Sequence, residues 1–174
     1  MRCVDWNGII ALGASLGAVL TASVTGARYR PGPWYEALAK PALTPPNWVF
    51  PVVWGALYVA MAVAAWRVWQ ASGVGALPAL LVYAGHLVLN AAWSWLFFGR
   101  KRIDLALAEI LPFWLSLLAT ILLFSRHDPV AAWLMVPYIA WVTLAAILNL
   151  RFLQLNGPRG IRQTAWSGAS PPAR

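Results

Sequence analysis

Charge is scarce in this chain. Only 10% of its 174 residues are Asp, Glu, Lys or Arg, against about 25% in ordinary soluble domains. That shortage excludes a water-soluble globular fold and points to a membrane protein. The two histidines, His86 and His127, come without a His-x-x-x-His, a Glu-x-x-His or a carboxylate cluster, so no metal is expected. A single cysteine, Cys3, excludes an internal disulfide and a cysteine metal cluster. GxSxG, P-loop, HExxH and strand-to-helix GxGxxG motifs are missing as well. Any chemistry must then come from a bound ligand, from light or oxygen, or from aromatic side chains.

What the chain has instead is apolar length, since 61% of its residues are hydrophobic. Trp6 to Ala27, Pro41 to Trp66, Val68 to Gly99, Leu105 to Ser125 and Pro129 to Leu150 contain no charge except Glu109. About 20 such residues cross the roughly 30 Å hydrocarbon core as a helix. Ser72-Gly73-Val74-Gly75 and Pro78 break the start of the third stretch. Backbone groups in lipid must be satisfied internally, and the stretches lack the alternation of a barrel. The expected fold is all-α, an integral membrane bundle of five helices. It occupies residues 1–156, with spans at about 7–27, 46–68, 79–98, 104–125 and 129–151. Residues 157–174, rich in Gly, Pro, Ser and Arg, form an expected disordered basic tail. The first span lacks a convincing cleavage site and is expected to be retained.

The net charge of +8 orients the bundle. With five spans, Arg28, Arg30, Lys40, Arg100, Lys101, Arg102, Arg151, Arg159, Arg162 and Arg174 share one side, and Arg2, Arg67 and Arg126 the other. The bias toward cytoplasmic cations puts the C-terminus inside and the N-terminus outside. Membrane lipid, through anionic headgroups, is the expected partner of these cations; nucleic acid is not.

Twelve tryptophans exceed the needs of interfacial belts. Trp6, Trp34, Trp48, Trp66, Trp69 and Trp133 lie near predicted helix ends and suit headgroup anchoring. Trp54, Trp93, Trp114 and Trp141 lie deeper, where an indole N–H needs an acceptor. Helical spacing aligns Trp54, Tyr58 and Met61; His86, Asn90, Trp93 or Ser94, and Phe97; and Tyr138, Trp141, Ala145 and Leu148. Such stripes pack a bundle, or line a pocket for a flat apolar ligand with a polar edge. Asn90 is the foremost pocket residue on chemistry alone, because an unpaired amide at bilayer depth is costly. Glu109 is expected to snorkel, to pair with Arg100 or Arg102, or to be protonated. Gly13 and Gly17 form a small-xxx-small motif that serves either internal packing or a dimer seam.

The run from Trp34 to Trp54, WYEALAKPALTPPNWVFPVVW, holds Pro41, Pro45, Pro46 and Pro51. Proline removes a donor and restricts its predecessor, so the run is a shaped loop at the mouth of a helix. The segment PxxWYEALAKPALTPPNWVFPVVWGALY closely resembles the signature of the translocator protein family, also called TspO or tryptophan-rich sensory proteins. The likeness continues through Leu89-Asn90-Ala91-Ala92-Trp93-Ser94, Phe97-Phe98-Gly99-Arg100-Lys101 and Trp133 to Trp141, covering about Pro33 to Asn149.

The resemblance implies a five-helix bundle in a bacterial cell membrane, often a homodimer, with a cavity beneath the first loop. Implied ligands are protoporphyrin IX, haem and related tetrapyrroles, benzodiazepine-type and isoquinoline carboxamide drugs, and sterols in some members. Carried over by position, the ligand-binding residues are Tyr35, Pro45, Trp54, Asn90, Trp93, Trp141 and Ala145. No cofactor is required, porphyrin entering as ligand. The implied function is to sense, sequester or transport porphyrins within tetrapyrrole metabolism. Bacterial relatives are also credited with light- and oxygen-dependent porphyrin breakdown, for which Trp54 and Trp141 are the candidate catalytic residues. An alternative is a transporter of porphyrins or sterol-like ligands. Leu148-Asn149-Leu150-Arg151-Phe152 lacks the tyrosine of the sterol-associated pattern, which ranks sterol transport low.

Overall fold

The computed structural model describes residues 6–29 and 31–160, and every regular element among them is helical. Arg2, Cys3, Arg30 and the tail from Ile161 onward lie outside the described residues. Five helices are long: α1 (Trp6–Arg28), α3 (Val49–Ser72), α4 (Leu77–Ser94), α5 (Ile103–Ser125) and α6 (Pro129–Asn156); α2 (Pro33–Glu36) is one turn. Four stretches are long and apolar enough to cross a membrane: Gly8–Arg28, Val49–Gly99, Ile103–Ser125 and Pro129–Asn156.

The second of these has 51 residues, more than twice a single crossing, because it joins α3 to α4 through a 3-10 turn, Gly73–Ala76. Gly73 adopts φ 50° and ψ −125°, a conformation open to glycine because it lacks a Cβ. Pro78 then sits in the first turn of α4, where its missing N–H has no intrahelical partner to lose. The chain folds back on itself here: the Tyr58 hydroxyl reaches Asn90 Oδ1 at 3.3 Å. A straight helix would hold these residues, 32 positions apart, almost 50 Å apart at about 1.5 Å per residue.

Several helix ends differ from the expected spans. The second helix begins at Val49 rather than near 46, since Pro45-Pro46 is closed by a turn from Val49 N–H to the Pro46 carbonyl at 3.0 Å. The last helix continues past Arg151 to Asn156. Arg151 is exposed and donates to Gln154 Oε1 at 3.0 Å, while Phe152 and Asn156 on the other face are buried. Its charge therefore never has to enter the core.

The larger of two apolar core clusters is drawn from α1, α3, α4, α5 and α6, with Met61, Val68, Leu117, Met135 and Tyr138 wholly enclosed. Lipid tails are as apolar as these side chains, so van der Waals fit and interhelical hydrogen bonds hold the helices together. Trp66 Nε1 donates to the Gly8 carbonyl at 3.0 Å, tying α3 to α1. Trp114 Nε1 donates to Thr143 Oγ1 at 2.9 Å, tying α5 to α6. Added Cβ atoms at Gly13 and Gly17 would meet nothing within 4 Å, so that motif packs against no other helix among the described residues.

At one end of the bundle Asp128 joins three elements. Its carboxylate caps α6 by accepting from Val130 N and Ala131 N at 2.8 and 3.3 Å, and it pairs with Arg67 of α3 at 2.8 Å. Beside it His127 Nδ1 lies 2.8 Å from Ser72 Oγ. Burial pushes the Asp128 carboxyl up, but bonds from Arg67, Val130 and Ala131 outweigh it and hold the group below its ordinary value. That contribution is complete above the ordinary carboxylate range and is lost as pH falls through the lowered value. Asp128→Ala should cost about 0.5–2 kcal/mol, the usual loss of an N-cap, and Asp128→Asn, which keeps the cap, should cost less. Thermal unfolding in detergent across acid pH checks both, and an Asn variant as unstable as the Ala variant would contradict the capping role.

Candidate functional site

The stripe His86, Asn90 and Phe97 faces inward from α4 and the π-helical turn Trp95–Gly99 that extends it, each residue no more than 2% exposed. Burying polar groups at this depth requires partners, and the fold supplies them in one connected series. Ser116 Oγ donates to the Phe113 carbonyl at 2.7 Å. Its hydroxyl proton thus spent, Ser116 Oγ accepts from His86 Nδ1 at 3.0 Å. His86 Nε2 is then the bare nitrogen, and it accepts the Tyr138 hydroxyl at 3.0 Å. Asn90 Nδ2 donates to the Tyr138 oxygen at 2.8 Å, and Asn90 Oδ1 accepts from Tyr58 at 3.3 Å. Five side chains from α3, α4, α5 and α6 thus form one directed network.

Aromatic rings surround this network. Trp54 lies tilted on Tyr58 at 5.3 Å between centroids and edge-on to Tyr138 at 5.9 Å. His86 stacks on Phe113 at 5.1 Å. Trp141 meets Phe50 edge-on at 5.8 Å. Trp54, Trp93, Trp141 and Ala145 are half-buried against the same core. Of the residues expected to bind a ligand, Asn90 lies in the network, Trp54 packs on its tyrosine rings, and Trp93, Trp141 and Ala145 pack against the same core.

Tyr35 stands in an adjoining cluster with Phe97, Phe98, Ile103, Leu148 and Phe152. Trp93 joins the two clusters, stacking on Phe97 at 5.3 Å and donating to Asn149 Oδ1 at 3.2 Å. Burial and then the Glu36 charge push the Tyr35 phenol up. Pro45 is half-buried within the loop 37–48, and no described contact joins it to Asn90 or its neighbours. Both Glu109 oxygens are buried without a hydrogen-bond partner. The expected pairing of Glu109 with Arg100 or Arg102 is not formed, because Arg102 is held by Asp104 at 2.6 and 2.8 Å and Arg100 lies over the Trp95 ring.

The loop is strapped to the end of α6. Asn156, 1% exposed, accepts from Ala39 N at 2.8 Å and donates to the Ala39 carbonyl at 3.0 Å. Trp34 Nε1 donates to the Arg159 carbonyl at 3.3 Å. Gly160 adopts φ 71°, a conformation that favours glycine, and a Cβ there would fall 2.5 Å from Leu38 Cδ2 and push that side chain aside. On the outer side, Lys40 and Asn47 both bond Glu36, at 2.6 and 3.0 Å, and these contacts hold its carboxyl low.

The TspO/MBR family model matches residues 8–155. The chain belongs to that family. It is 42% identical over 156 residues to a tryptophan-rich sensory protein of Cereibacter sphaeroides, covering 90% of this chain and 96% of the relative. Protein CrtK of Rhodobacter capsulatus is 39% identical over 144 residues, 80% and 88% of the two chains. The translocator protein of Bos taurus is 38% identical over 149 residues, 83% and 86%. With four apolar helical stretches of crossing length, this TspO/MBR member is an integral membrane protein.

Within this network, helical spacing in the sequence put His86, Tyr58 and Tyr138 on the inward faces but did not give their hydrogen bonds to one another or to Asn90. Depth in the bilayer was the available signal, since it requires a partner for His86 and Asn149 as it does for Asn90. Ser116 and Asn156 gave no such lead because each also fits a helix surface. Asn90→Leu and Tyr138→Phe should each lower stability by about 1–3 kcal/mol, the cost of stranding buried partners. The double variant should lose less than the sum, because both break one network. Thermal unfolding of the four proteins in detergent measures the coupling, and strictly additive losses would dissolve the network as a unit.

Proposed function

We propose that this protein is a five-span bundle that binds flat tetrapyrroles such as protoporphyrin IX or haem at the aromatic region around Asn90. The observation that supports this reading is the buried network of Tyr58, His86, Asn90 and Tyr138, with Trp54 packed on two of its rings and half-buried Trp93 and Trp141 packed against the same apolar core. Indole faces supply broad apolar contact, and a few fixed polar groups orient a ligand. The reversal at Gly73 within the 51-residue stretch supports reading it as two crossings. With five crossings, the excess of cations on the loop side favours a cytoplasmic loop and C-terminus in a bacterial membrane. The open Gly13–Gly17 face of α1 suits close approach of a second copy. Tyr35 and Pro45 belong to the proposed site as parts of the loop that bounds it.

The same region accepts benzodiazepine-type and isoquinoline carboxamide molecules on this reading, since they too are flat and largely apolar. Sensing or sequestration of porphyrin, and its light-dependent oxidation at Trp54 or Trp141, fit a binding site built from oxidisable indoles. A transporter of porphyrins would use the same contacts on its way across.

Titrating protoporphyrin IX into the detergent-solubilised protein should quench tryptophan fluorescence saturably. Trp54→Phe and Trp141→Phe should weaken binding about 2- to 10-fold, as expected for aromatic contacts of about 0.5–1.5 kcal/mol. Unchanged affinity in both variants would remove the proposed site.

A further inference from the structure

We propose that Tyr138 and His86 form a redox pair that takes an oxidising equivalent from Trp54. Trp54 and Tyr138 meet edge-on with centroids 5.9 Å apart, close enough for an electron to pass directly between the rings. Oxidation of a phenol is easy only when its proton has somewhere to go. The Tyr138 hydroxyl already donates to His86 Nε2 at 3.0 Å, and that nitrogen is bare because Nδ1 donates to Ser116. Asn90 Nδ2, 2.8 Å from the phenolic oxygen, remains a donor to the oxygen after the proton has left.

Tyr58 is the internal comparison. Its ring is nearer Trp54, at 5.3 Å, but its hydroxyl donates to Asn90 Oδ1, an amide oxygen that is a very weak base. Tyr83 is buried with no partner for its hydroxyl. Among the described tyrosines of the core, Tyr138 alone combines contact with an indole and a base aligned to accept its proton.

The step balances without a metal. A photoexcited tetrapyrrole, as the electron acceptor, takes one electron from Trp54 and becomes a radical anion, leaving an indole radical cation. Tyr138 returns an electron to Trp54, and its O–H bond breaks with the proton passing to His86 Nε2. The products are an intact Trp54, a neutral tyrosyl radical, an imidazolium bonded to Ser116 and the reduced ligand radical. The hole is thereby moved off the indole, which is spared oxidation. The role of the ligand rests on the tetrapyrrole reading above; the pair itself does not.

The test therefore uses a different oxidant. The full chain in detergent is flash-oxidised by a soluble ruthenium polypyridyl complex with a sacrificial acceptor, and radicals are identified by electron paramagnetic resonance. Wild type and Tyr58→Phe should give a tyrosyl signal, whereas Tyr138→Phe and His86→Phe should lose it and retain an indole radical. In wild type, which carries no folding risk, deuterated water should slow the rise of the tyrosyl signal. A tyrosyl signal surviving in Tyr138→Phe or His86→Phe, its loss in Tyr58→Phe, or a rise unaffected by deuterium overturns the pair. If protoporphyrin fails to bind while the Tyr138 radical forms, the tetrapyrrole reading falls and the pair stands.

Discussion

Hydrocarbon offers no hydrogen bonds, and most of this structure is a response to that constraint. A buried amide, imidazole or phenol left alone at bilayer depth costs several kcal/mol, so His86, Asn90 and Tyr138 can be enclosed only together. The network draws on α3, α4, α5 and α6, and it fixes how those helices rotate about their axes. Apolar packing alone would not, because lipid competes for apolar faces on nearly equal terms. Asn149 repeats the solution nearer the loop, accepting from Trp93 and donating to the Ile103 carbonyl at 2.8 Å.

Tryptophan serves two purposes under the same constraint. Trp48 and Trp133 are about 70% exposed and suit the headgroup region. Trp34, Trp66, Trp93 and Trp114 instead donate to carbonyl or side-chain oxygens and act as ties between elements. Trp54 adds ring contact to the polar centre through Tyr58 and Tyr138, whereas Trp141 packs on Phe50. A fold so rich in indole is held by fixed, directional contacts at many points.

The loop from Trp34 to Trp48 is shaped from both sides. Its prolines prevent a continuous helix, and the Asn156 amide binds Ala39 through both backbone groups. Tyr35 consequently packs into Phe97, Phe98 and Phe152 rather than directly against Asn90. The aromatic region and the loop communicate through Trp93, which touches both clusters. The strap beyond α6 thus bears on the loop from a part of the chain far away in sequence.

Much of this was legible in the residues themselves. Long uncharged stretches dictate helices, since only helices satisfy backbone groups within one segment, and the Gly73–Pro78 break follows from local backbone sterics. The inward faces of α3, α4 and α6 follow from helical period, as Tyr58, Asn90 and Tyr138 illustrate. Tertiary structure alone decided which polar groups on those faces would meet, because the direction of a hydrogen bond depends on helix rotation and crossing. It decided that Ser116 sets the tautomer of His86, that Arg102 is taken by Asp104 and leaves Glu109 unpaired, and that Asn156 closes on Ala39. Periodicity assigns a side chain to a face; only the packing of several faces at one depth determines its partner.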